Sequence, residues 1–90
     1  MSTTVETIKR IAGSVKADPE LAARLRDDAD LIDEVGLDSL EMLQFMLEIE
    51  AALAIQIDFD RLEFETLRSI ETLAAFLETM PARVSAAGAA

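Results

Sequence analysis

The chain has 90 residues, 51% hydrophobic and 29% charged, with three glycines, two prolines and a formal net charge of −10. That is the length of one small domain, and so little glycine and proline argues for helices and against a loop-rich or disordered chain. With no cysteine, histidine, tyrosine or tryptophan, disulfides, encoded thiol chemistry and the commonest general base are excluded, so a self-sufficient enzyme is hard to build from this inventory.

Thr3 with Glu6 three residues later has the layout of a capping box, and Val5, Ile8, Ile11, Ala12 and Val15 then recur at helical spacing. Gly13 should make the last turn of this helix its weakest part, because glycine costs up to about 1 kcal/mol relative to alanine. Asp18-Pro19-Glu20 reads as a cap followed by proline at the first helical position, opening a short turn through Leu21 and Leu25. The acid-dense stretch from Asp27 to Gly36 should be mostly irregular. Asp38 and Glu41 repeat the capping-box spacing ahead of the longest helical stretch, Ser39 to Ala54. Ile55 to Asp58 is too short for an isolated strand and reads as a connector. Beyond it, either Asp60 caps a short helix with Glu63 as box partner and Phe59 stapled to Phe64, the favoured reading, or Glu63 caps a single turn over Phe64 to Leu67. The last helix is expected from Ser69 to Met80, with Ile70, Leu73, Ala74 and Leu77 inward and Pro81 as its stop. The domain is thus expected over residues 1–81, with a flexible tail over 82–90.

The Ser39 helix is too apolar for one core. At 100° per residue, Glu41, Gln44 and Glu48 make one narrow polar stripe, and almost everything else is apolar. Leu40 and Leu47 lie across the helix from Phe45, Ile49 and Leu53, so both arcs cannot face the same neighbours. The expected arrangement puts Phe45, Met46, Ile49 and Leu53 inward and leaves Leu40 and Leu47, fringed by Glu41, Gln44 and Glu50, as an exposed docking stripe. Periodicity alone equally allows a helix buried nearly all round.

Charge is concentrated in the middle of the chain: Asp27 to Glu65 holds thirteen acidic residues against a single base, Arg61. Such a field repels nucleic acid and anionic lipid and steers basic protein patches toward this segment, although solubility alone is a simpler use for it. The acidic run from Asp27 to Glu34 lacks the glycine of a calcium loop and has Ile32 at a ligand position, so a solvated loop is the default and no metal site is expected. Asp58 and Asp60 read as caps rather than as a catalytic pair, and no catalytic residue is expected at all.

Gly36-Leu37-Asp38-Ser39-Leu40, opening a long apolar and acidic helix, resembles the phosphopantetheine attachment motif of acyl carrier proteins. The similarity continues upstream through Asp30-Leu31-Ile32-Asp33-Glu34-Val35 and downstream through Leu47-Glu48-Ile49-Glu50 and Arg68-Ser69-Ile70-Glu71-Thr72-Leu73, covering Val5 to Met80. Asp-Ser-Leu by itself occurs by chance in many proteins; it is the order, length and charge context together that are specific. The resemblance implies an all-α, antiparallel bundle of three long helices and one short one. It also implies that Ser39 receives 4′-phosphopantetheine from coenzyme A through a separate magnesium-dependent phosphopantetheinyl transferase, which would reconcile thioester chemistry with a chain that encodes no cysteine. Asp38, Leu40 and Gly36 would flank that attachment. Leu40, Glu41, Gln44, Leu47, Glu48 and Glu50 would dock acyltransferases, ketosynthases or acyl-loading ligases with basic patches, and the bundle could shelter a short acyl chain.

Gln44 and Ala51 stand where many carriers have acids, so partner preference should differ from that of a fatty-acid carrier, and Asp38 before the serine favours an acyl or polyketide-type carrier over a peptidyl one. The expectation is a free-standing, cytoplasmic, monomeric carrier serving polyketide or fatty-acid-type biosynthesis, of polyketide or secondary-metabolite type first, binding neither nucleic acid nor membrane. A carrier of an aminoacyl starter unit and a non-covalent acidic adaptor remain alternatives. A small hydrolase using Ser39 lacks a residue placed to activate it.

Overall fold

Val5, Ile8, Ile11 and Ala12 share one face at helical spacing, and that face is the centre of the protein. In the computed structural model, which describes residues 3–82, they are buried on α1 (Thr3–Val15), and α1 packs against α2 (Leu21–Arg24), α3 (Ser39–Leu53) and α4 (Ile70–Glu78). Thr3 is already helical, so it is not the cap expected from its spacing with Glu6, and the residues before it lie outside the described ones. The described residues form four α-helices and one 3₁₀ helix, Phe64–Arg68, with no strand among them. The core is wholly apolar: no polar or charged side chain of the described residues is buried.

Gly13 is buried inside α1 for a reason its helix propensity does not show. A Cβ there would meet the Asp18 carbonyl oxygen at 3.0 Å, and the chain folds back at this point with the Asp18 N–H donating to the Gly13 carbonyl at 2.9 Å. Pro19 does not open α2 as expected. It lies in the preceding turn, where the Leu21 N–H donates to the Asp18 carbonyl and the Asp18 carboxylate accepts from the Glu20 N–H and pairs with Arg24 at 2.6 Å. Those contacts, the Arg24 hydrogen bond first, hold the Asp18 carboxyl below its ordinary pKa.

The acidic loop after α2 is irregular, as expected, but it is pinned. Leu31 N–H donates to the Leu67 carbonyl, Ile70 N–H to the Ala29 carbonyl and Glu71 N–H to the Asp27 carbonyl, at 2.8–3.1 Å. Ala29, Leu31, Val35 and Leu37 point into the core between these ties. Asp30 organises the turn, accepting from the Asp33 N–H at 3.0 Å and the Ile32 N–H at 2.8 Å and pairing with Arg68 at 3.1 Å. These contacts, led by the Asp33 N–H and opposed by desolvation, hold the Asp30 carboxyl below its ordinary value of 3.8. A carboxyl whose folded pKa is depressed stabilises the fold above its unfolded pKa and loses that contribution as pH falls through the folded value. The difference in melting temperature between the wild type and Asp30→Asn should therefore be present at neutral pH and close below about pH 4. A difference that stays constant across that range would remove Asp30 from the acid response.

Ser69 caps α4, its hydroxyl accepting from the Thr72 N–H, and the helix buries Ile70, Leu73, Ala74 and Leu77, the four residues expected inward. It ends at Glu78, two residues short of the expected bound, with Met80 buried beyond it. The favoured helix capped by Asp60 does not form. Asp58 closes a turn there, accepting from the Asp60 and Arg61 N–H groups, and Phe59 and Phe64 are both exposed instead of stapled. Glu63 takes the cap position of the 3₁₀ helix, so the shorter of the two readings describes this segment, because Leu62 and Leu67 are what pack on the core here. Of the expected tail, Ala82 bridges Ile55 across antiparallel backbone, and residues 83–90 lie outside the described residues.

Candidate functional site

The start of α3 is built by local hydrogen bonds that the sequence spacing dictates. The Asp38 carboxylate accepts from the Glu41 N–H at 2.8 Å, and the Glu41 carboxylate accepts from the Asp38 N–H at 3.1 Å, a closed capping box. Ser39 is the first residue of the helix and is exposed. Gly36, three residues earlier, has a φ of +76° and no neighbour within 4 Å of where its Cβ would be. Its role is therefore the left-handed turn, which any other residue would adopt at a cost of about 1–2 kcal/mol. Leu37 follows, buried, with its N–H donating to the Leu31 carbonyl at 3.2 Å. The segment is thus anchored by a buried apolar residue before the serine and by the cap around it, and the serine itself is exposed.

An open cleft of about 370 Å³ adjoins Ser39, lined by Ile32, Leu37, Asp38, Met42, Phe64 and Leu67. Ile32, Met42, Phe64 and Leu67 were not legible as site residues; the exposure of Phe64, from a 3₁₀ helix distant in sequence, has no signature in periodicity. Around α3, Phe45, Met46 and Ile49 are buried and Leu53 packs partly against the core. Leu40 is 74% exposed and Leu47 53%. Leu43, also 53% exposed, joins them, and its spacing of three from Leu40 and four from Leu47 was the signal that could have found it. The helix is therefore not buried all round.

The polar residues expected beside this ridge divide into two groups. Gln44 is exposed and Glu48 half-buried on the helix surface. Glu41 and Glu50 are engaged within the chain: Glu41 holds the Asp38 N–H and the Lys16 ammonium, and Glu50 accepts from the Ile57 N–H at 2.8 Å, closing the turn after Ala54. Ala54 itself is in the left-handed conformation, with a φ of 53°.

Chemically, the site offers a hydroxyl without a base. The nearest carboxylates, Asp38 and Glu41, are committed to backbone N–H groups, and the chain has no histidine. Among the described residues no group of acidic side chains is arranged to hold a metal ion. Such a serine suits being modified by another protein's catalytic apparatus, at a helix start where N–H groups and the helix dipole favour a phosphate.

No curated protein matches the chain. A family model described as "Phosphopantetheine attachment site" matches residues 6–77, which runs from within α1 through nearly all of α4. The match covers most of the chain, and the chain belongs to the phosphopantetheine attachment family: it is a carrier of the 4′-phosphopantetheine prosthetic group and not itself an enzyme.

Proposed function

We propose that the arm is attached to Ser39 and that the protein presents acyl groups on it, as thioesters, to partner enzymes in polyketide or fatty-acid-type biosynthesis. The observation that carries this reading is the exposure of Ser39 at the first residue of α3, beside an open cleft. Its hydroxyl can accept a phosphodiester without disturbing any buried group. In the transfer, the serine oxygen bonds to the pantetheine-side phosphorus of coenzyme A, the pyrophosphate link breaks to release adenosine 3′,5′-bisphosphate, and the hydroxyl proton leaves to a base of the transferase. Once attached, the arm supplies the thiol that carries acyl groups as thioesters.

Asp38 and Leu40 flank the hydroxyl as features for the transferase to read. Gly36 shapes the turn that leads to it. The ridge of Leu40, Leu43 and Leu47, with Gln44 and Glu48 beside it, is an apolar strip in an acidic surround, which suits basic-rimmed docking patches on acyltransferases, ketosynthases or acyl-loading ligases. Glu41 and Glu50 serve this surface mainly by holding α3 and its following turn in shape. We propose the carrier domain over residues 1–81, an antiparallel disposition of its long helices and a monomeric, cytoplasmic protein. No described helix is long and apolar enough to cross a membrane.

Intact mass tests the attachment: incubation with coenzyme A and a broad-specificity phosphopantetheinyl transferase should add one arm, and an unchanged mass would overturn the reading. For the docking ridge, Leu47→Arg should weaken binding to the loading enzyme about tenfold while leaving the melting temperature within a few degrees, since an exposed position tolerates charge. Global unfolding of that variant would show that Leu47 is packed in solution.

A further inference from the structure

Lys16, directly after α1, reaches both sides of Ser39. Its ammonium donates to the Gly36 carbonyl at 3.3 Å, three residues before Ser39, and to both oxygens of the Glu41 carboxylate at 3.0 and 3.3 Å, two residues after it. The same Glu41 carboxylate closes the capping box on the Asp38 N–H. Lys16 and Glu41 are both partly shielded, with 29% and 27% of their side chains exposed, so this pair is less screened than the surface pairs of Arg26 or Arg24. One ammonium therefore ties the left-handed turn and the helix cap, which together set the direction of the Ser39 hydroxyl, to the central helix of the fold.

We propose that Lys16 is a positioning residue for arm transfer, holding the segment from Gly36 to Glu41 in the conformation the transferase accepts; this rests on Ser39 being the attachment point. Two physical effects act in the same direction. Tethering both flanks reduces the conformations of the hydroxyl, so more encounters are productive. The phosphodiester adds negative charge beside Asp38 and Glu41, and the Lys16 ammonium offsets the repulsion that those carboxylates would exert on it.

Steering of a basic transferase predicts the opposite sign. Lys16→Met keeps most of the aliphatic stem but increases the net negative charge, so if steering dominated, the variant would be modified faster at low carrier concentration. The positioning role instead predicts that kcat for arm transfer falls about fivefold with KM unchanged or lowered, and that Lys16→Arg restores most of it. Independently of the transferase, amide hydrogen exchange at Glu41 and Met42 should quicken in Lys16→Met while exchange at Ile49 is unaltered. An unmodified wild type would overturn the Ser39 reading and the positioning role together. A wild type that is modified, with Lys16→Met showing the same kcat and the same exchange at the start of α3, would overturn the role of Lys16 alone. Faster exchange throughout the variant would mark Lys16 as a general stabiliser and overturn the positioning role as well.

Discussion

Ser39→Ala is expected to gain no mass on incubation with coenzyme A and a phosphopantetheinyl transferase, under conditions in which the wild type is converted completely. The other described serines are poor substitutes. Ser69 is half-buried and its hydroxyl caps α4, accepting from the Thr72 N–H, while Ser14 lies in the last turns of α1 with no helix start beside it. The variant should keep its fold, because the Asp38 and Glu41 side chains, not the serine, close the capping box. Its melting temperature should move by no more than about 1 kcal/mol of stability corresponds to, as for an exposed surface substitution. Residual modification of Ser39→Ala would place the acceptor elsewhere and dissociate the capped helix start from the carrier role.

Phe45→Ala should be the most damaging single change to stability. Phe45 is completely buried on the face of α3 that meets the core, and α3 packs against α1. Removing a buried aromatic ring costs about 3–5 kcal/mol through lost burial and the cavity left behind. A domain of this size has a total of about 5–10 kcal/mol, so the variant should melt on the order of 20 °C lower, as followed by circular dichroism. Its arm transfer should fall with the folded fraction, unlike that of Lys16→Met, which changes rate in a folded protein. A loss below about 1 kcal/mol would mean that α3 is rotated in solution so that Phe45 no longer faces the core.

Much of the structure that arises from neighbours in sequence is legible in the sequence itself. The capping box of Asp38 and Glu41, the Ser69 start of α4, the inward set of Ile70, Leu73, Ala74 and Leu77, and the apolar face of α1 all follow from spacings of three and four, within reach of one helical turn. The same local logic misled at Asp60, where box spacing was present but the backbone after Asp58 turned instead, and at Pro19, which entered the turn closed by Asp18.

The amino-acid sequence alone determined that Ser39 opens a helix and that apolar side chains lie nearly all round it, because capping and periodicity are short-range. Only the tertiary structure decided which face of α3 remains open, that Phe64 from the 3₁₀ helix borders the cleft at Ser39, and that Glu41 is held by Lys16, 25 residues away. A nearly uniformly apolar helix carries no internal signal of its own orientation. Burial and ion pairing depend on what another segment places against it, and here α1 packs against α3 while Lys16, just beyond α1, pairs with Glu41 at the start of that helix.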